Sequence, residues 1–193
     1  AMKEYNHIKL SGNCNQYVQI GLRGYQSSSQ QQINRDFIFI EGLDPNKATT
    51  ISSSNLVVVD IDDTVTVHLK NLTISGTNQY ALAVGRGATL YAESLEVKNA
   101  QNGITVHDGG IAYLSDITVS ATSNAVQVTR NGTARIYNDS LLQNSPVGLG
   151  VYYGSHAQVD NSTIKGNQLG VYMKQASLDV YGSTISNNTD DGF

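Results

Sequence analysis

The sequence predicts an all-β solenoid, a single-stranded parallel β-helix of about seven to eight coils of roughly 22 residues. Three features lead there: aliphatic residues recur at a near-constant spacing, short alternating segments carry them, and the composition disfavours helix. Of 193 residues 39% are hydrophobic, only 15% are charged and 18 are glycine. The polar weight sits in Ser, Thr, Asn and Gln and the aliphatic weight in Val and Ile, the balance of strands and turns. No stretch approaches the roughly 18 apolar residues that cross a bilayer, so membrane insertion is not expected. The net charge is −4, and the twelve basic residues are scattered. That leaves no stripe for a phosphate backbone and argues against nucleic acid. The single cysteine, Cys14, permits no internal disulfide.

Taken in order, Ala1-Met2-Lys3 reads as a tag remnant at the start of the chain. Residues 4–63 form an N-terminal cap and irregular first coils. Their strands are Phe37-Ile38-Phe39-Ile40, Thr50-Ile51 and Leu56-Val57-Val58-Val59, and two loops, 21–32 with its Ser and Gln runs and 42–48 with Asp44-Pro45-Asn46, project from them. Residues 64–193 form regular coils, expected to continue past Phe193.

Three ladders define those coils. Ile74, Val97, Val119, Leu142, Ile164 and Ile185 are separated by 23, 22, 23, 22 and 21 residues. Leu82, Ile104, Val126, Leu149 and Leu169 keep step, each followed two residues later by Val84, Val106, Val128, Val151 or Val171. The third ladder is Leu69, Ala92, Leu114, Tyr137, Val159 and Val180. Three short strands per period, joined by Asn, Gly, Ser and Asp turns, close one coil, because alternate side chains of a strand share a face. A coil cannot stand alone. Burying six aliphatic side chains gives about 9–18 kcal/mol, whereas ordering some 22 backbones costs about 1–2 kcal/mol each, so neighbouring coils must seal the core.

Ile8-Lys9-Leu10-Ser11-Gly12-Asn13-Cys14-Asn15-Gln16-Tyr17-Val18-Gln19-Ile20, Phe37-Ile38-Phe39-Ile40-Glu41-Gly42, Thr49-Thr50-Ile51 and Val65-Thr66-Val67-His68-Leu69-Lys70-Asn71-Leu72-Thr73-Ile74 resemble the opening of secreted bacterial proteins of the pectin-lyase-like superfamily. The Gly-Leu/Ile-x-Val coils are similar to that superfamily's generic repeats. The resemblance covers nearly the whole chain and implies a right-handed parallel β-helix, an extracellular or cell-surface setting and, loosely, polysaccharide. It specifies a fold that hosts lyases, hydrolases, tailspikes and adhesins alike.

The catalytic signatures of such proteins are fragmentary here. Asp36-Phe37-Ile38-Phe39-Ile40 is similar to the nucleophile motif of pectin methylesterases, but Ile40 replaces its glycine and it lies too early, so Asp36 reads as a turn residue. Asn188-Thr189-Asp190 is similar to the first polygalacturonase motif. Glycosidic cleavage needs a second carboxylate about 6.5–9.5 Å away in inverting enzymes, and its coil is not in the sequence. Asp60, Asp62 and Asp63, close together in one turn, are candidate calcium ligands, since a hard cation takes six to eight oxygens; the alternative is a solvated acidic turn, and no other cofactor is implied. His7, His68, His107 and His156 fall at different places of different coils. Asn-x-Ser/Thr triplets at Asn71, Asn131, Asn138, Asn161 and Asn187 follow from Asn-rich corners, where Asn tolerates left-handed backbone.

If Leu82, Ile104, Val126, Leu149 and Leu169 point inward, Ala83, Thr105, Gln127, Gly150 and Gly170 point outward, followed by Gly85, His107, Thr129, Tyr152 and Tyr172. That register puts Tyr152 and Tyr172 in one row about 4.8 Å apart, with Tyr153, Arg130, Asp108 and Lys174 in the adjoining turn. An aromatic ledge over a small-residue floor suits a sugar ring, whose hydroxyls find Gln127, Asp108, Arg130 or His107. Stacked tyrosines also stabilise neighbouring strands without any ligand. The leading expectation is a non-catalytic extracellular module with an adhesin, spacer or polysaccharide-binding role. The alternatives are a fragment of a polysaccharide lyase or glycoside hydrolase, and a phage tail fibre segment. An open last coil is expected to favour end-to-end self-association.

Overall fold

A computed structural model describes residues 6–21, 37–44, 49–76 and 78–192. The tag-like start, the Ser/Gln tract, Asp36, residues 45–48 and Phe193 lie outside the described residues. Among these the structure is strand and turn throughout, with no helix, and every strand pairing is parallel. No helix is long and apolar enough to cross a membrane.

The chain winds so that each strand pairs with its equivalent one coil away, building three faces. The first face carries Asn6–Leu10, Phe37–Gly42, the opening halves of Thr66–Gly76 and Thr89–Val106, then Ile111–Ser115, Thr133–Tyr137, His156–Asp160 and Ser177–Tyr181. On the second face Cys14, Ile51, Ile74, Val97, Val119, Leu142, Ile164 and Ile185 form one continuous inward column. The third face stacks Val18–Ile20, Val57–Ile61, Tyr80–Val84, residues 102–106 and 124–128, Val147–Tyr152 and Leu169–Lys174. About six regular turns run from Thr66 onward, and the two layers before them bring the first face to eight strands among the described residues. The earlier layers join the same faces through longer excursions, with partners 32 residues apart from Ile8 to Ile40 and 29 from Ile40 to Leu69.

The core is the sum of these columns. Leu69, Ile74, Leu82, Leu90, Ile104, Leu114 and Ile136 are fully buried, each contributing about 1.5–3 kcal/mol. Two steps of the expected ladders differ. On the first face Ile136, not Tyr137, follows Leu114 inward, and Tyr137 pairs with Ser115 on the outside. On the third face Val171, not Leu169, stacks on Leu149, and Met173 follows Val151. The repeated Leu-Gly-Val phrase at 149–151 and 169–171 suggests the wrong equivalence, because filling the interior, rather than the local phrase, sets the register.

The corners bear out the reading of the Asn-rich triplets. Asn71, Asn131, Asn138, Asn161 and Asn187 all sit at positive φ, between 45° and 60°, a conformation that Asn tolerates better than most residues. At the corner leading from the second face to the third, polar side chains continue the ladder, Ser145 and Asn167 buried and Asn188 partly so. Ser145 Oγ accepts from the Ala121 amide at 2.9 Å, Asn167 Oδ1 from the Ser145 amide at 3.0 Å, and Asn188 Oδ1 from the Asn167 amide at 3.0 Å.

Candidate functional site

The third face presents three outward columns. Its central column runs Asp60, Ala83, Thr105, Gln127, Gly150 and Tyr172. Asp60, Ala83 and Thr105 are buried, so the accessible part begins at Gln127. To one side Asn102 and Asn124 stack, joined by Asn124 Nδ2 donating to Asn102 Oδ1 at 2.9 Å. The other side is formed by the strand ends: Gly85, His107 and Thr129 follow Val84, Val106 and Val128, and Tyr152 pairs with Lys174.

Tyr152 and Tyr172 therefore belong to different columns, because Tyr172 pairs with Gly150. The two rings nevertheless meet, with centroids 5.6 Å apart and planes tilted by 41°. Tyr152 leans across Gly150 and its hydroxyl donates to Asn124 Oδ1 at 3.3 Å, which sets the ring in line with Tyr172. Tyr153 completes the cluster, its ring centroid 6.2 Å from that of Tyr152, and Lys174 Nζ stands 5.7 Å from the Tyr153 centroid. Burial pushes the Tyr152 phenol above its ordinary value, and Tyr172 and Tyr153 add to the shift. Tyr153 and Tyr172 are exposed. The tilt leaves part of each ring face open to a flat apolar surface such as the C–H side of a sugar.

Beside this cluster the corner residues form a hydrogen-bonded triad. Arg130 Nε and Nη2 donate to the two oxygens of Asp108 at 2.6 and 3.2 Å, and His107 Nδ1 lies 2.8 Å from Asp108 Oδ2. The Arg130 hydrogen bonds first, and that of His107 second, hold the Asp108 carboxyl at about 2. A folded-state value below the usual 3.8 means that this contribution to stability is fully present above about pH 4 and is lost as pH falls toward 2. Arg130→Gln is expected to raise the Asp108 titration only part of the way to its ordinary value, because the His107 hydrogen bond remains, as followed by its side-chain carboxyl NMR signal. An unmoved midpoint would assign the shift to some other group.

The three aspartates considered for calcium are spread out. Asp60 points out of the strand and accepts from Tyr17 Oη at 3.2 Å, Asp62 lies beside Gly85, and Asp63 occupies a left-handed turn 3.7 Å from Arg86. Among the described residues no three His, Cys, Asp or Glu side chains are grouped to hold a metal ion.

Sequence reasoning missed the first face. There His7, Phe39, His68, Tyr91 and Tyr113 form an aromatic column, with successive centroids 4.5, 4.6, 6.3 and 4.9 Å apart. Lys70 Nζ lies 2.7 Å from Glu93 in the adjoining column. The 22–23-residue spacings of His68, Tyr91 and Tyr113, each one residue before Leu69, Ala92 or Leu114 of the inward ladder, are a legible signal, since alternation turns them outward. Tyr91 and Tyr113 lie nearly parallel, at 8°, so their faces are used against each other, as in cross-strand pairs that stabilise a sheet.

Residues 56–193 match the family described as a right handed beta helix region. No curated protein and no solved structure matches the chain.

Proposed function

Because the chain belongs to the right-handed β-helix family, whose shared feature is a scaffold rather than a chemistry, we propose that it is a non-catalytic module of a secreted or surface protein that binds polysaccharide along its third face. The observation that carries this reading is the tilted pair of Tyr152 and Tyr172, 5.6 Å apart, on a face whose accessible floor is Gln127, with Gly150 buried beneath the Tyr152 ring. Sugar rings stack on the tyrosines, with their chain running along the solenoid axis. Gln127 supplies donors and an acceptor to the hydroxyls, and Lys174 and the Arg130–Asp108 pair border the path. Among the described residues Lys174 carries no carboxylate partner, so it is free to take an acidic substituent. Each contact is weak, and micromolar to millimolar affinity is expected from several acting together.

The test is an array of acidic and neutral bacterial and plant polysaccharides. Tyr152→Ala combined with Tyr172→Ala is expected to abolish binding while the melting temperature stays within a few degrees of wild type. Tyr172→Ala alone, at an exposed position, is expected to weaken binding at least tenfold. Absence of binding by the wild-type chain to every glycan, or full binding by the double variant, sinks the reading.

A further inference from the structure

Gly150 is unlike most glycines of this chain. Its backbone is one that any residue adopts, yet a Cβ there would stand 2.6 Å from Tyr152 Cε2, 2.7 Å from Tyr152 Oη and 2.7 Å from Asn124 Oδ1. All three obstacles are side-chain atoms of the candidate site, and none is backbone. Glycine is therefore required at 150 by the ring of Tyr152 and not by the turn of the chain. Earlier coils place Asp60, Ala83, Thr105 and Gln127 at the equivalent position, so the solenoid itself accepts a side chain there.

The second constraint on the ring comes from the neighbouring column. Asn102 Nδ2 donates to the Gln79 carbonyl at 3.4 Å, which turns Asn102 Oδ1 toward Asn124. Asn124 Nδ2 is committed to that oxygen and to Ser123 Oγ at 3.1 Å. An amide whose nitrogen is so engaged must offer its oxygen on the other side, where the Tyr152 phenol donates to it. The polarity of the phenol bond is thus fixed from two coils away.

We propose that Gly150 and Asn124 are positioning residues that preform the tyrosine platform, the glycine by vacating the space under the Tyr152 ring and the asparagine by anchoring its hydroxyl. This rests on the polysaccharide-binding reading of the same face. A ring held in its bound orientation before the ligand arrives spares the ordering cost of a mobile aromatic side chain. Without Gly150 the ring would swing out over its own column, away from Tyr172, and the two faces would no longer serve one ligand.

Four proteins test this: wild type, Gly150→Ala, Tyr152→Ala and the double variant. Gly150→Ala is expected to lower affinity for the best array polysaccharide at least tenfold, with Tyr152→Ala similar and the double variant no weaker than either single one. Losses that multiply, or wild-type affinity in Gly150→Ala, overturn the proposal. Tyr152→Phe, which keeps the ring and removes only the Asn124 bond, is expected to lose affinity severalfold; unchanged affinity overturns the role of Asn124. A readout independent of glycan is the Cζ resonance of Tyr152 in protein labelled with carbon-13 tyrosine. In Gly150→Ala its phenol is expected to titrate at lower pH than in wild type, because the ring leaves its half-buried place. If the wild-type chain binds no polysaccharide, the functional reading fails by itself. The Tyr152 titration then decides the positioning claim, which a shift upholds and an unchanged midpoint overturns.

Discussion

Asn167→Ala is expected to destabilise the protein by about 2–6 kcal/mol, because it leaves two buried backbone groups unpaired at about 1–3 kcal/mol each. Asn167 Oδ1 accepts from the Ser145 amide at 3.0 Å and its Nδ2 donates to the Leu142 carbonyl at 3.1 Å. Both bonds are buried and Asn167 is 1% exposed, so water does not replace the lost partner. The denaturant midpoint should fall with an unchanged slope. A loss below about 1 kcal/mol would mean that the corner relaxes onto other partners.

Gly103→Ala is expected to cost about 1–3 kcal/mol or more through overpacking. A Cβ at 103 would stand 2.5 Å from Val119 Cγ1 and 2.6 Å from the Ala125 carbonyl oxygen. The first lies across the core on the second face and the second is backbone of the next coil, so neither yields without moving a strand. The contrast with Gly150→Ala is sharp: there only the ends of two polar side chains are in the way. Equal losses of thermal stability in the two variants would contradict this account.

The fold was legible because the same three inward columns repeat at every coil. Ile74, Val97, Val119, Leu142, Ile164 and Ile185 stack as their spacing predicts. The site was legible in its members and not in its register. Seven residues separate Val97 from Ile104, Val119 from Val126, Leu142 from Leu149 and Ile164 from Val171. Counting from the second face would therefore have placed Val171, and hence Tyr172 beside Gly150, correctly. The contact of Tyr152 with Tyr172 survives the shifted register only because Gly150 has no side chain. Nothing in a column of spacings conveys that a ring folds back along its own strand. The Asn102–Asn124 ladder was hidden for a related reason: both residues precede small inward ones, Gly103 and Ala125, in a corner that alternation alone does not orient.

Each strand finds its partner one coil away, 23 residues on from Val126 to Leu149 and 22 from Leu149 to Val171. That regularity has a mechanical side. Closing a loop of such length carries a modest entropy that is nearly the same at every regular coil from Thr66 onward, so the molecule can assemble these coils layer upon layer. Tension applied between its ends would undo it in the same units. A coil peeled from the stack forfeits only the ladder to its neighbour and releases about 22 residues, roughly 70–80 Å of extended chain at 3.3–3.6 Å per residue. Under load the regular coils would thus lengthen in even steps while those that remain keep their shape.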